Sequence, residues 1–376
     1  MAMESQEMEK IKKKIGLYIL NFNGIKWLKI CLPNVVKFSS ICEIFIIDNN
    51  SKDGSVEFVK EKFPAIIIKK NKSNYGFSRG YNKWLLSKSE HKYVIIMNND
   101  VIVTENWLEP IINYMRVNDI DIVQPKIKSI KWSRKNNYSL NCNSGIPSIK
   151  EIENLKTNSF DYAGACGGFL DFSGIPFCRG RILNFIENDL NQYDNISDIF
   201  WASGCCLIIK KDLFEKLNGF DEDFFMHFEE IDLCWRAHAH NKRIICFPHS
   251  KIYHFGGGSL RYGDSKKRFY NHRNSLLLII KNLEYKYFIF AFFLRIIIDW
   301  ALILFFLIKC IPNSIKGKLS VSIKDAISII LAHINVILFL PKFIRKRSPI
   351  KSKKIYYRSI LIDFFILGRK TFKDLK

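Results

Sequence analysis

Residues Gly219 to His254 gather the side chains best suited to acid–base chemistry. The stretch reads G-F-D-E-D-F-F-M-H-F-E-E-I-D-L-C-W-R-A and, after one strand-like run, I-Y-H-F-G-G-G. Asp221, Glu229, Glu230 and Asp232 fall just ahead of or inside the first turn of an expected helix. Crowded carboxylates repel, and a helix N-terminus offsets that only in part. An acidic helix start would explain one or two of them. The full set, flanked by F-F-M and followed by His254 beside glycines, suits a general base near a metal ion.

A second cluster supplies the partner. Tyr93–Met97 is a short apolar strand closed by Asn98-Asn99-Asp100. A carboxylate at the carboxyl end of a buried strand lies where open α/β sheets bind ligands. One protein oxygen there, joined by phosphate oxygens, suits Mg²⁺ or Mn²⁺. N-N-D alone is also an ordinary turn or helix-cap signal.

The elements around it must form the platform. Apolar runs at 15–20, 44–47, 65–68 and 93–97 alternate with helical stretches near 27–38, 56–63 and 80–86. Continuous apolar strands separated by helices predict a mainly parallel sheet covered on both faces. The strand ends carry Asn21-Phe22-Asn23-Gly24, Asp48-Asn49-Asn50-Ser51 and Asn71 to Gly76, so Asn21, Asp48, Asn74 and Asp100 are expected to face one crevice. Neither a P-loop nor a G-x-G-x-x-G fingerprint occurs, which disfavours an NTPase or a plain dehydrogenase.

These segments resemble family 2 glycosyltransferases of the GT-A fold, in particular the rhamnosyltransferase-like branch. The matching pieces are L-N-F-N-G at 20–24, I-I-D-N-N-S-K-D-G-S at 46–55, N-Y-G-F-S-R-G-Y-N at 74–82 and M-N-N-D at 97–100. F-C-R-G-R at 177–181, F-W-A-S-G at 200–204 and G-F-D-E…E-E-I-D-L-C-W-R follow in the same order. The resemblance implies a GT-A domain over 12–282, after a short tail 1–11. Asp48 would bind the nucleotide base with Asn21 and Asn23 nearby, while Asn74, Gly76, Asn98 and Asn99 would line the donor cleft. Asp100 and His254 would hold a divalent cation on the diphosphate, and Glu230 would be the base. Glu229 and Asp232 are lesser candidates, because this chain has E-E-I-D where the family has E-D-x-D. Trp201 and Arg236 are weak acceptor candidates, with a buried tryptophan and a local ion pair as the plainer readings.

The same resemblance implies inversion by one displacement. No Q-x-x-R-W signature is present, so one sugar per encounter is expected. Rhamnose from a dTDP donor is one option and UDP-sugars are others, with a glycan or lipid-linked acceptor in cell-surface polysaccharide assembly. Two other functions compete: a nucleotidyltransferase of the same fold, which would need a Gly-rich, Arg-containing loop after the first strand, and a non-catalytic membrane-bound assembly subunit.

Composition speaks to location. The chain has 376 residues and a net charge of +22, yet its lysines are scattered and no nucleic-acid motif appears. Attraction to anionic lipid headgroups is the better reading. The ten cysteines lack C-x-x-C pairing and the N-terminus lacks an apolar signal core, so reduced thiols in the cytosol are expected. Within 283–376, the run 287–308 is apolar but for Arg295 and Asp299, and 326–340 is short for a span. Basic clusters follow at 342–347 and 351–354. Helices lying in the cytoplasmic leaflet are favoured over one transmembrane segment at 287–308.

Overall fold

The computed structural model describes residues 12–130, 153–256, 264–314, 319–349 and 355–375. The tail 1–11, residues 131–152, Gly257, Gly258 and the basic cluster 351–354 lie outside the described residues.

The first half alternates as expected: β1 (Ile15–Asn21), α1 (Ile25–Phe38), β2 (Glu43–Asp48), α2 (Ser55–Lys62), β3 (Ile67–Lys70), α3 (Ser78–Leu85) and β4 (Tyr93–Asn98). β1 pairs in parallel with both β2 and β4, and β2 with β3. β1, β2 and β4 are apolar along their middles because helices cover both faces, and Leu17, Ile47 and Ile95 are fully buried. β3 begins two residues later than its apolar run and is partly exposed, as an edge strand. Ala65 and Ile66 are spent on the turn, where the Ile66 amide donates to the Phe63 carbonyl at 3.0 Å.

Next come β5 (Val101–Val103), α4 (Glu109–Val117), β6 (Ile122–Ile130) and β7 (Lys156–Phe160). β8 (Gly168–Leu170), β9 (Pro176–Cys178), β10 (Arg181–Ile182) and β11 (Phe185–Ile186) form a small antiparallel sheet of their own. β12 (Ser197–Asp198), β13 (Cys206–Lys210), α5 (Lys211–Lys216), α6 (Glu229–Ala239) and β14 (Ile244–His254) complete the core. The main sheet runs β12-β14-β6-β13-β4-β1-β2-β3, and β13 breaks the parallel run by pairing antiparallel to β4 and β6. β5 pairs with β14, setting His254 opposite Val101.

Three long helices close the chain: α7 (Ser265–Asn282), α8 (Tyr285–Ser314) and α9 (Leu319–Arg345). α7 belongs to the core, with Leu276 to Ile280 fully buried. α8 and α9 pack on one another and along α7. By length and composition both could cross a membrane. α9 therefore corrects the reading of 326–340 as short for a span: the helix has 27 residues. Its polar positions face inward, where His333 meets Asp299 of α8 at 3.0 Å and Asn335 accepts from Arg273 of α7. Outward-facing Ile289, Phe293 and Ile297 on α8 and Leu331 and Leu338 on α9 remain at least half exposed.

Candidate active site

The donor side is built where β1, β2 and β4 end. Asn21 stands in register with Asp48, and Leu20 with Asn98. Asn21 is fully buried, donates from Nδ2 to Asp48 Oδ1 at 3.3 Å and accepts from Asn99 at 2.8 Å. Asp48 also accepts the Ser51 amide at 2.9 Å and borders a cavity of about 350 Å³ with Ser51, Lys70 and Asn71. Asn23 adopts a left-handed backbone (φ 48°), which an asparagine tolerates, and its Oδ1 receives the Lys52 amide. Asn71 donates to Asn49, whose own amide reaches Asn74 Oδ1 at 3.2 Å and the Gly76 carbonyl at 2.9 Å. Gly76 has φ 72°, and a Cβ there would lie 2.6 Å from the Phe225 carbonyl oxygen, so only glycine lets the donor loop meet the loop before α6.

Strand pairing makes the next link. β14 brings His254 beside Asp100, with Nε2 at 3.2 Å from Asp100 Oδ1 and Nδ1 at 3.0 Å from Asp161. Burial disfavours the imidazolium, but Cys205, Asp100 and Asp161 outweigh burial and hold the His254 pKa well above its ordinary value. Among the described residues no three His, Cys, Asp or Glu side chains could hold a metal by themselves. Asp100 and His254 nevertheless form a nitrogen–oxygen donor pair that would suit Mn²⁺ with diphosphate oxygens, whereas Mg²⁺ would draw on Asp100 and the diphosphate oxygens alone. A cation bound there would compete with the proton that the neighbouring acidic groups favour on His254.

The acidic wall is strained. Phe225, His227 and Phe228 have φ of 32°, 66° and 72°. Such backbones cost bulky residues roughly 1–3 kcal/mol each and persist only where the surroundings impose them. The turn swings Glu229 and Glu230 onto the first turn of α6, which no side chain caps. Glu229 is buried and Glu230 keeps part of its surface open, yet protein crowds both, and Oε2 of each makes no hydrogen bond among the described residues. Burial pushes Glu230 up to about 7, and burial with repulsion from Glu230 raises Glu229 well above the carboxylate range.

The remaining acidic candidates are committed elsewhere. Asp232 is fully buried and bound by Lys281 at 2.8 Å, Arg236 at 2.8 Å and Asn282 at 3.0 Å. Burial alone would raise its pKa, but Lys281 and Arg236 reverse the shift and lower it. This corrects Asp232 as a base: it is a structural anion. Arg236 is likewise no acceptor residue, since it also donates to the Leu217 and Gly219 carbonyls. Trp201 is corrected too. Only 5% exposed, it packs against Gly168 and donates to the Phe169 carbonyl at 2.9 Å, so no sugar can stack on it.

Sequence reading missed Asp161, Lys281, Arg273 and Asn274. The last three lie in N-H-R-N-S-L-L-L-I-I-K-N, where buried-strength polar residues punctuate a core helix. That pattern was the available signal.

A mainly parallel sheet whose strands deliver carboxamides and two carboxylates to one edge, faced by an acidic helix start, has the architecture of the GT-A fold. Residues 17–173 match the family model of glycosyl transferase family 2, and the chain is similar to hexosyl- and rhamnosyltransferases. It is 23% identical over 267 residues to the low-salt glycan biosynthesis hexosyltransferase Agl10 of Haloferax volcanii, covering 70% of this chain and 74% of the relative. It is 20% identical to the N-acetylglucosaminyl-diphospho-decaprenol L-rhamnosyltransferase of Mycobacterium tuberculosis, covering 56% of this chain and 66% of that protein. The fold is shared with the crystal structure of GalNAc-T7 with UDP, GalNAc and Mn²⁺ (TM-score 0.52, 14% identity), over 71% of this chain and 47% of that one. These matches support a glycosyltransferase activity in glycan or polysaccharide biosynthesis.

Proposed function

We propose that the protein is an inverting, non-processive glycosyltransferase that moves one sugar from a nucleotide-diphospho-sugar to a hydroxyl of a glycan or lipid-linked acceptor. The carrying observation is Glu230: a partly exposed residue whose buried Oε2 makes no hydrogen bond among the described residues, on a helix start that meets the donor loop through Gly76 and Phe225. Glu230 takes the proton of the acceptor hydroxyl as the acceptor oxygen attacks the anomeric carbon and the bond from that carbon to the diphosphate breaks. Asp48, Asn21 and Asn74 hold the nucleotide, and Asp100 would hold Mg²⁺, or with His254 Mn²⁺, on the diphosphate. The cation, when bound, offsets charge on the departing diphosphate. A lipid-linked acceptor draws support from the name of the mycobacterial relative and from the apolar hairpin beside the acidic wall. dTDP-rhamnose and UDP-hexoses are the first donors to try. A sugar-nucleotide panel read by thermal shift, with and without Mn²⁺, is expected to show one donor stabilised by metal. No metal-dependent stabilisation with any donor would refute the reading.

The hairpin also supports attachment to the membrane by helices lying in its plane, at the cytoplasmic face where sugar nucleotides are made. The middle of α8 is pinned to α7, with Arg295 on Ser275 at 3.0 Å and Asp299 on His272 at 2.8 Å. A helix fastened along a core helix cannot cross a bilayer without carrying the catalytic domain in with it. Each exposed large apolar side chain contributes roughly 1.5–3 kcal/mol on entering lipid. The double variant Phe293→Glu, Ile297→Glu is therefore expected to lose about 100-fold or more in vesicle partition and to keep nucleotide binding. Membrane partition equal to wild type would contradict an in-plane hairpin.

A further inference from the structure

Nothing in α6 itself explains why the left-handed turn at 225–228 persists. The restraint comes from α7. Asn274 is fully buried and its Nδ2 donates to the carbonyls of Phe224 (3.3 Å), Met226 (2.9 Å) and His227 (2.7 Å). An amide nitrogen carries two hydrogens, so three acceptors share them. Its Oδ1 accepts from Arg273 Nη1 at 2.8 Å, which decides the amide's orientation: reversed, an oxygen would face three oxygens. Arg273 is held in turn. It donates to the Asp223 carbonyl at 2.9 Å and to Asn335 Oδ1 of α9 at 2.5 Å, and its guanidinium lies 4.6 Å from the Phe339 ring centre. From the other side the Phe77 amide takes the Phe225 carbonyl at 2.7 Å.

We propose that Asn274 is a positioning residue: it holds the turn 224–227 so that Glu229 and Glu230 are aimed into the cleft, and Arg273 and α9 of the apolar hairpin hold Asn274. The inference rests on the proposed role of the glutamate pair as the site of proton removal. Asn274 touches no substrate in this account and acts through the backbone of the turn. Lost aim, rather than lost donor contact, is the expected defect, because the nucleotide residues Asn21 and Asp48 lie on other elements and Asn74, on the loop that Phe225 touches, is held separately by Asn49 at 3.2 Å.

The test uses the full chain in nanodiscs of phosphatidylcholine and phosphatidylglycerol. Asn274→Ala should lower turnover about 10²-fold, the scale of a 1 Å misplacement, with UDP or dTDP affinity within about twofold of wild type. Asn274→Asp should be worse, since it sets a carboxylate against three carbonyls. Turnover is read as UDP or dTDP released from UDP-glucose or dTDP-rhamnose with Mn²⁺. In a Glu230→Gln background, Asn274→Ala should cost little more, because the group it aims is already gone. A full, additive loss there, with Glu230→Gln itself crippled, would overturn the Asn274 proposal and leave the base standing. Full turnover of both Glu230→Gln and Glu229→Gln would overturn the base reading, and the Asn274 role with it. Amide hydrogen exchange gives a readout independent of activity. Asn274→Ala should speed exchange at 225–232 at least about tenfold while β1 and β4 keep their protection. Unchanged exchange at 225–232, or equal loosening everywhere, would overturn the proposal even if no donor is turned over.

Discussion

Glu230→Gln is expected to lose between about 10²- and 10⁴-fold in turnover while nucleotide affinity stays near wild type. The substitution keeps shape and hydrogen-bonding capacity and removes only the proton acceptor, so it acts on the transition state. The wild-type pH profile should carry the same signature. A base must be deprotonated to work, and crowding raises Glu230 to about 7, so turnover should climb through neutrality rather than near 4.5. The sign for stability is opposite. A carboxyl whose folded pKa is raised contributes stability that is complete below its unfolded value and is lost as pH rises through the folded value. The enzyme should thus be less stable at pH 8 than at pH 6 on account of this pair, and Glu229→Gln should raise the melting temperature at pH 8. If Glu229→Gln proves more crippling than Glu230→Gln with donor binding intact, the base is Glu229.

Asp100→Ala is expected to have the other large effect: turnover down about 10³-fold or more, and nucleotide affinity no longer responsive to Mn²⁺. Asp100 and His254 supply the protein's share of the proposed cation site, and losing the carboxylate leaves the imidazole alone. Calorimetry of UDP and dTDP with and without Mn²⁺ separates this from general damage, because binding to Asn21 and Asp48 should persist. Wild-type turnover of the variant in EDTA would remove Asp100 from the metal role.

The donor floor was legible because it is local. Each of β1, β2 and β4 is a continuous apolar run ending in polar turn residues, and parallel pairing then aligns Asn21 with Asp48 without further information. The helix start at Glu229 was legible for the same reason. What could not be read is what depends on distant pairing. Asp232 looks like its acidic neighbours in sequence, and only Lys281 and Asn282, arriving from α7, turn it into a buried anion. Asp161 precedes a region of two- and three-residue strands that carry no periodic signal. The polar residues of α9 shortened its apolar run on paper, because the partners that bury them, Asp299 and Arg273, sit on other helices.

The order of the site along the chain has a consequence for heredity. Asn21 through Asp100 occupy one continuous stretch, while the glutamate pair, α7 and the hairpin occupy another. Changes in which nucleotide is held and changes in which acceptor is met can therefore accumulate separately, and chimeras exchanging the two stretches have a natural seam. His254 crosses it. Any recombination between them must keep β5 against β14 in register, or the imidazole arrives one residue away from its carboxylate and on the wrong face of the sheet.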